Sequence, residues 1–140
     1  MNRAGSAVGK RMVSAQLFIR HGDRTPVFQV GDPDFWAAAL PDSGLNDKLD
    51  FAAKLPITKT TSLHQNVWGK LTKRGVGQLF GRGRRAWKQF EGMHGFFHQD
   101  DLQGKLPQDQ VLVRSTSWSR PLRSAQSFVY GFRDAIGDDV

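Results

Sequence analysis

The sequence contains no cysteine. That removes disulfides, thiolate nucleophiles and cysteine-ligated zinc together, and leaves the redox compartment open. No apolar run approaches the roughly 20 residues that a membrane-spanning helix needs. The opening stretch, MNRAGSAVGKRMVSAQ, lacks the continuous apolar core of a secretory signal, and no acid precedes Asp23. Its basic, small-residue-rich character is loosely compatible with an organellar presequence, and residues 1–12 read more simply as a flexible leader. There is no internal repeat, no low-complexity tract and no N-x-[ST] glycosylation site.

What is present describes one folded domain. The 140 residues are 39% hydrophobic and 24% charged, which is ordinary for a chain that buries a core. The formal net charge of +7 favours an anionic partner: a nucleic acid, an anionic membrane surface or a phosphorylated substrate.

Residues 13–19 are a compact apolar segment with Val13, Ala15, Leu17 and Ile19 on one face and Phe18 on the other. This pattern predicts a strand buried on both sides, with RHGDRTP as its C-terminal loop. Residues 27–70 are broken by Pro33, Pro41 and Pro56 and read as a loop-rich insertion. Thr72 predicts a helix N-cap, and a helix to about Phe90 would bury Val76, Leu79, Phe80, Gly83, Trp87 and Phe90. Residues 110–113, QVLV, predict a second buried strand with RSTSWSR as its loop. A last helix from about Pro121 would bury Leu122, Ala125, Phe128, Val129 and Phe132. A right-handed crossover would make the strands parallel and bring both loops to the ligand-binding edge of an α/β sheet. Arg20, His21 and Arg24 would then meet Arg114 and Arg120. Two strands are a thin basis for an open sheet, and the chain ends directly after a helix, so residues 13–140 read as the N-terminal part of a longer α/β domain.

The cluster around His21 suits phosphate chemistry. A neutral imidazole attacks phosphorus when one ring nitrogen is free and the other donates to a fixed acceptor. Guanidinium groups match the phosphoryl oxygens with paired hydrogen bonds and stabilise the charge as the group transfers.

RHGDRTP resembles the R-H-G-x-R-x-P signature of the histidine acid phosphatases, a branch of the phosphoglycerate-mutase-like superfamily. Leu71, Thr72, Gly75 and Gln78 are similar to that family's L-T-x-x-G-x-x-Q segment. Arg114, Ser115, Thr116, Arg120, Ser124 and Ala125 are similar to its R-S-T…R…S-A segment. The resemblance, closest to the prostatic, lysosomal and lysophosphatidic-acid-type enzymes, implies a three-layer α/β/α fold. It also implies phosphomonoester hydrolysis through a phosphohistidine on His21, with Arg20, Arg24 and Arg114 holding the phosphoryl oxygens. Gly22, Asp23, Pro26, Thr116 and Arg120 would support the pocket. No metal or organic cofactor is implied, and the substrate is a phosphorylated small molecule, lipid or protein. Relatives of this type are mostly secreted or lysosomal.

Two features depart from the family pattern. The family's leaving-group acid lies in a His-Asp dipeptide, and none occurs in these 140 residues. Ser117 and Trp118 stand where the family usually places an aspartate after R-S-T. Two alternatives follow: a non-catalytic phosphate-binding fragment of the same fold, or nucleic-acid binding through Arg82, Arg84 and Arg85 beside Phe80, Trp87 and Phe90. The second is disfavoured because those aromatics share the apolar face with Val76 and Leu79.

Overall fold

A computed structural model describes residues 12–52, 66–91, 104–106 and 109–138 of the chain. Among the described residues four helices form in this order: α1 (Pro33–Ala37), α2 (Ser43–Ala52), α3 (Lys73–Glu91) and α4 (Ser119–Ile136). The expected leader lies, except for Met12, outside the described residues.

Helix α3 forms where its apolar spacing predicts. Thr72 caps it, its Oγ1 accepting the Gly75 N–H at 3.1 Å. Val76, Leu79, Gly83, Ala86 and Trp87 are buried along one side. That side packs along α4, which begins two residues before Pro121 and ends at Gly137 in the left-handed conformation, φ 92°. The Gly137 and Asp138 N–H groups return to the Arg133 carbonyl at 3.1 and 3.0 Å. Asp138 then folds under the helix end, pairing with buried Arg133 at 2.9 Å and accepting the Leu106 N–H at 3.1 Å.

The two long helices approach almost backbone to backbone. A Cβ on Gly83 would strike the Phe128 carbonyl oxygen and lie 2.8 Å from the Phe132 nitrogen. One on Gly131 would strike the Phe80 carbonyl oxygen. Around this crossing Trp87, Val129 and Phe132 are buried with Leu106, and Trp87 meets Phe132 edge to face at 5.5 Å. A second cluster of Leu49, Leu71 and Val76 holds α2 against the start of α3 and Tyr130 of α4.

The region expected as irregular, residues 27–70, contains both short helices. Asp32 caps α1 by accepting the Asp34 N–H, with Pro33 in the first turn. Asp42 plays the same part for α2, accepting the Leu45 N–H at 2.8 Å.

The expected parallel sheet is not formed among the described residues. Residues 13–19 and 110–113 do not form strands, and the one β-bridge among the described residues is an isolated antiparallel contact between Arg24 and Leu71. The reason lies in strand chemistry. A strand satisfies its backbone only through a neighbour, and here the described chain supplies none. Residue alternation survives in part: Val111 and Val113 lie against the helical core, while Leu112 between them is 66% exposed. In the first segment Val13 and Phe18 both face solvent, Phe18 at 93% exposure.

Candidate active site

The three sequence motifs meet at residues 21–23. Gly22 lies so close to α3 that a Cβ would come within 2.7 Å of the Gly75 carbonyl oxygen and 2.7 Å of Leu79. Gly75 returns the restriction, since its own Cβ would strike the Asp23 carbonyl oxygen. These glycines are required by close backbone approach; neither has a positive φ. The Gly22 N–H donates to Ser124 Oγ of α4 at 3.1 Å, and the Asp23 N–H to Gln78 Oε1 of α3 at 2.8 Å. Thr72 Oγ1 donates to the Asp23 carboxylate at 2.7 Å, while the Thr72 N–H reaches the Asp23 carbonyl at 3.0 Å. The loop is thereby fastened to both long helices.

The loop's next two residues are held from the other side. Thr25 is fully buried. Its N–H donates to the Lys70 carbonyl at 2.9 Å, its hydroxyl donates to the Val67 carbonyl at 2.6 Å, and the same oxygen accepts the Lys70 N–H at 2.9 Å. The Pro26 carbonyl accepts the Gly69 N–H at 2.8 Å.

His21 is half-buried, and its Nδ1 lies 2.8 Å from the Gly22 carbonyl. A carbonyl only accepts, so Nδ1 is the donor in this contact, and in the neutral ring Nε2 then holds the lone pair. The imidazole borders a cavity of about 380 Å³ lined also by Gln78, Arg82 and Arg85 of α3. Arg82 and Arg85 thus bring positive charge to the His21 cavity. Their helical spacing marks them as solvated cations, and only the packing of the loop on α3 reveals that they face His21's cavity.

The arginines singled out by the motifs lie elsewhere. Arg20 and Arg114 are exposed, and their guanidinium groups have no partner among the described residues. Arg24 is half-buried and donates to the Thr25 carbonyl at 3.1 Å. None of the three lines the His21 cavity. Thr116 is exposed and its carbonyl accepts the Ser115 hydroxyl at 2.9 Å. Arg120 is half-buried, donates to the Gly69 carbonyl at 3.4 Å and lies 5.3 Å from the centre of the Trp118 ring. Trp87 and Phe90 of the basic helix turn inward onto Phe132, and Phe80 onto Tyr130. Arg84 is paired with Asp134. Among the described residues no cluster of His, Asp and Glu has the form of a metal site, and no described helix is long and apolar enough to cross a membrane.

A loop presenting an oriented imidazole, tied to two helices by the residues of two other motifs, is matched by a family model. The model for the histidine phosphatase superfamily, branch 2, covers residues 11–140. The chain belongs to that family, the acid-phosphatase branch. Membership implies phosphatase-type chemistry and a phosphorylated substrate. No curated protein and no solved structure matches the chain.

Proposed function

We propose that the chain is a phosphomonoester hydrolase of the acid-phosphatase type, with His21 as its nucleophile. The observation that carries this reading is the Nδ1–H···O=C bond from His21 to Gly22, which makes Nε2 the ring nitrogen available for attack in the neutral imidazole. In the first step the Nε2 lone pair forms a bond to phosphorus. The ester P–O bond breaks, and the leaving oxygen takes the electron pair and a proton from water. In the second step water attacks the phosphohistidine, the P–N bond breaks, and neutral imidazole and inorganic phosphate are released. Arg20, Arg24 and Arg114 are the residues we assign to the phosphoryl oxygens, with Gly22, Asp23, Pro26, Thr116 and Arg120 in support. Asp23 is committed to Thr72, which supports a holding role for it rather than proton donation. That commitment, with no His-Asp dipeptide in the 140 residues, also favours a second reading in which the site binds phosphate without turning it over.

The deciding measurement is hydrolysis of p-nitrophenyl phosphate at mildly acidic pH, with acid-labile label on histidine trapped from a phosphorylated substrate. His21→Ala is expected to lower turnover by at least about 10³-fold, the scale of removing a nucleophile. Turnover that survives in this variant overturns the assignment. A folded wild-type chain that binds phosphate but never forms phosphohistidine selects the second reading.

A further inference from the structure

A second cavity, of about 370 Å³, shares no lining residue with the one at His21. Its volume falls in the range of small-ligand sites, about 300–1,000 Å³. Two loops wall it, residues 66–70 and residues 117–120, where α4 begins.

Four side chains decide what such a cavity accepts. Trp68 and Trp118 supply indole surface, and Lys70 and Arg120 supply positive charge. No carboxylate lines the cavity, and among the described residues neither cation has an ion-pair partner. Both cations are left short of compensation. Arg120 Nε is shielded from solvent and has no hydrogen-bond partner. Lys70 has its pKa lowered, first by burial and then by the nearby charge of Arg123. Arg123 itself is engaged by Asp50 and Gln126. The wall at α4 adds to this, because the N-cap residue Trp118 makes no side-chain capping bond and the helix begins there with its positive end. Half-buried cations without acids, beside flat aromatic faces, are the complement of one kind of ligand.

We infer that this cavity is a second ligand site, separate from His21, for a small organic anion carrying a planar aromatic ring. The anionic group meets Lys70 and Arg120, and the ring lies against Trp68 and Trp118. A dianionic phosphate or phosphonate suits two cations better than a carboxylate does. The site neighbours the His21 loop through the Thr25–Lys70 and Pro26–Gly69 hydrogen bonds, and of the residues assigned to hydrolysis it uses only Arg120, one of the supporting ones.

Phenylphosphonate, benzoate and methylphosphonate are suitable probes, titrated into the 140-residue chain by calorimetry and indole fluorescence. Phenylphosphonate is expected to bind saturably, roughly three- to tenfold tighter than methylphosphonate, as an aromatic contact provides. Benzoate is expected to bind more weakly than phenylphosphonate. Lys70→Gln is expected to weaken all three by about tenfold, the scale of a charge-assisted contact. Trp118→Ala should erase the preference for the ring, and Trp118→Phe should restore it. His21→Ala should leave these affinities unchanged, whether or not it abolishes hydrolysis. The inference is overturned by the absence of saturable binding, or by binding that disappears in His21→Ala and ignores Lys70→Gln. A ring preference indifferent to Trp118→Ala also overturns it. Trp118 is 60% exposed, so its variants keep the test decisive where Lys70→Gln fails to fold by circular dichroism.

Discussion

Helices α3 and α4 and the segment 12–19 are built from comparable apolar residues, yet they finish in opposite surroundings. In the helices Leu79 is fully buried and Phe132 is 7% exposed; in the segment 12–19 Val13 is 82% and Phe18 is 93% exposed. The difference is one of backbone bookkeeping. A helix closes its own hydrogen bonds and needs a partner only for its apolar side, which each of these helices finds in the other. An extended segment leaves every N–H and C=O open until another strand arrives. Burial therefore follows the element that satisfies itself first.

That contrast can be broken hardest at the helix crossing. Gly131→Ala drives a methyl into the Phe80 carbonyl region, and separating the helices is expected to cost about 1–3 kcal/mol or more, as overpacking does. Urea denaturation of the purified chain measures it; a change under 0.5 kcal/mol would mean the helices do not approach so closely. An intermediate effect is expected from Thr72→Val, which deletes the bonds to Asp23 and to the Gly75 N–H. It should lower stability by about 1 kcal/mol, the scale of a lost cap. It should also reduce p-nitrophenyl phosphate turnover by loosening the His21 loop; measured beside urea midpoints, an unchanged rate would separate the cap from the site. The smallest effect is expected from Phe18→Ser. So exposed a ring should change stability by no more than about 0.5 kcal/mol, and a larger loss in denaturation would show that Phe18 is covered in solution.

The same contrast marks what the sequence made legible. The long helices were readable because a 3.6-residue repeat reports burial directly, and Thr72 announced the start of α3. Their bounds shifted by one or two residues, with Ser119 rather than Pro121 opening α4. Helices α1 and α2 were missed, although Asp32-Pro33 and Asp42 carried the capping signals; each run is too short for its periodicity to stand out. The strands failed because an alternating pattern records which side chains are apolar, and a strand depends on a neighbour that pattern cannot name. The gathering of three motifs at residues 21–23 was legible in outline, in that Gly22, Thr72, Gly75, Gln78 and Ser124 all belong to them. The arrival of Arg82 and Arg85 at the His21 cavity was not, since it depends on which side of α3 the loop lands. Nor was the buried pair of Arg133 with Asp138, which forms only because Gly137 turns the chain back.

Thr25 carries one more consequence. By holding Lys70 through 45 positions of sequence, it makes the intervening chain a closed excursion whose two feet are set side by side. The entropy of closing such a loop rises slowly, by about 0.6 kcal/mol for each doubling of its length. Descendants of this sequence are thus free to lengthen or shorten the chain between Pro26 and α1 at small thermodynamic expense, whereas α2, with Leu49 in the core, is held. Variation there leaves the imidazole where it is. The buried hydroxyl of a single threonine is what keeps such variation from reaching the loop that carries His21.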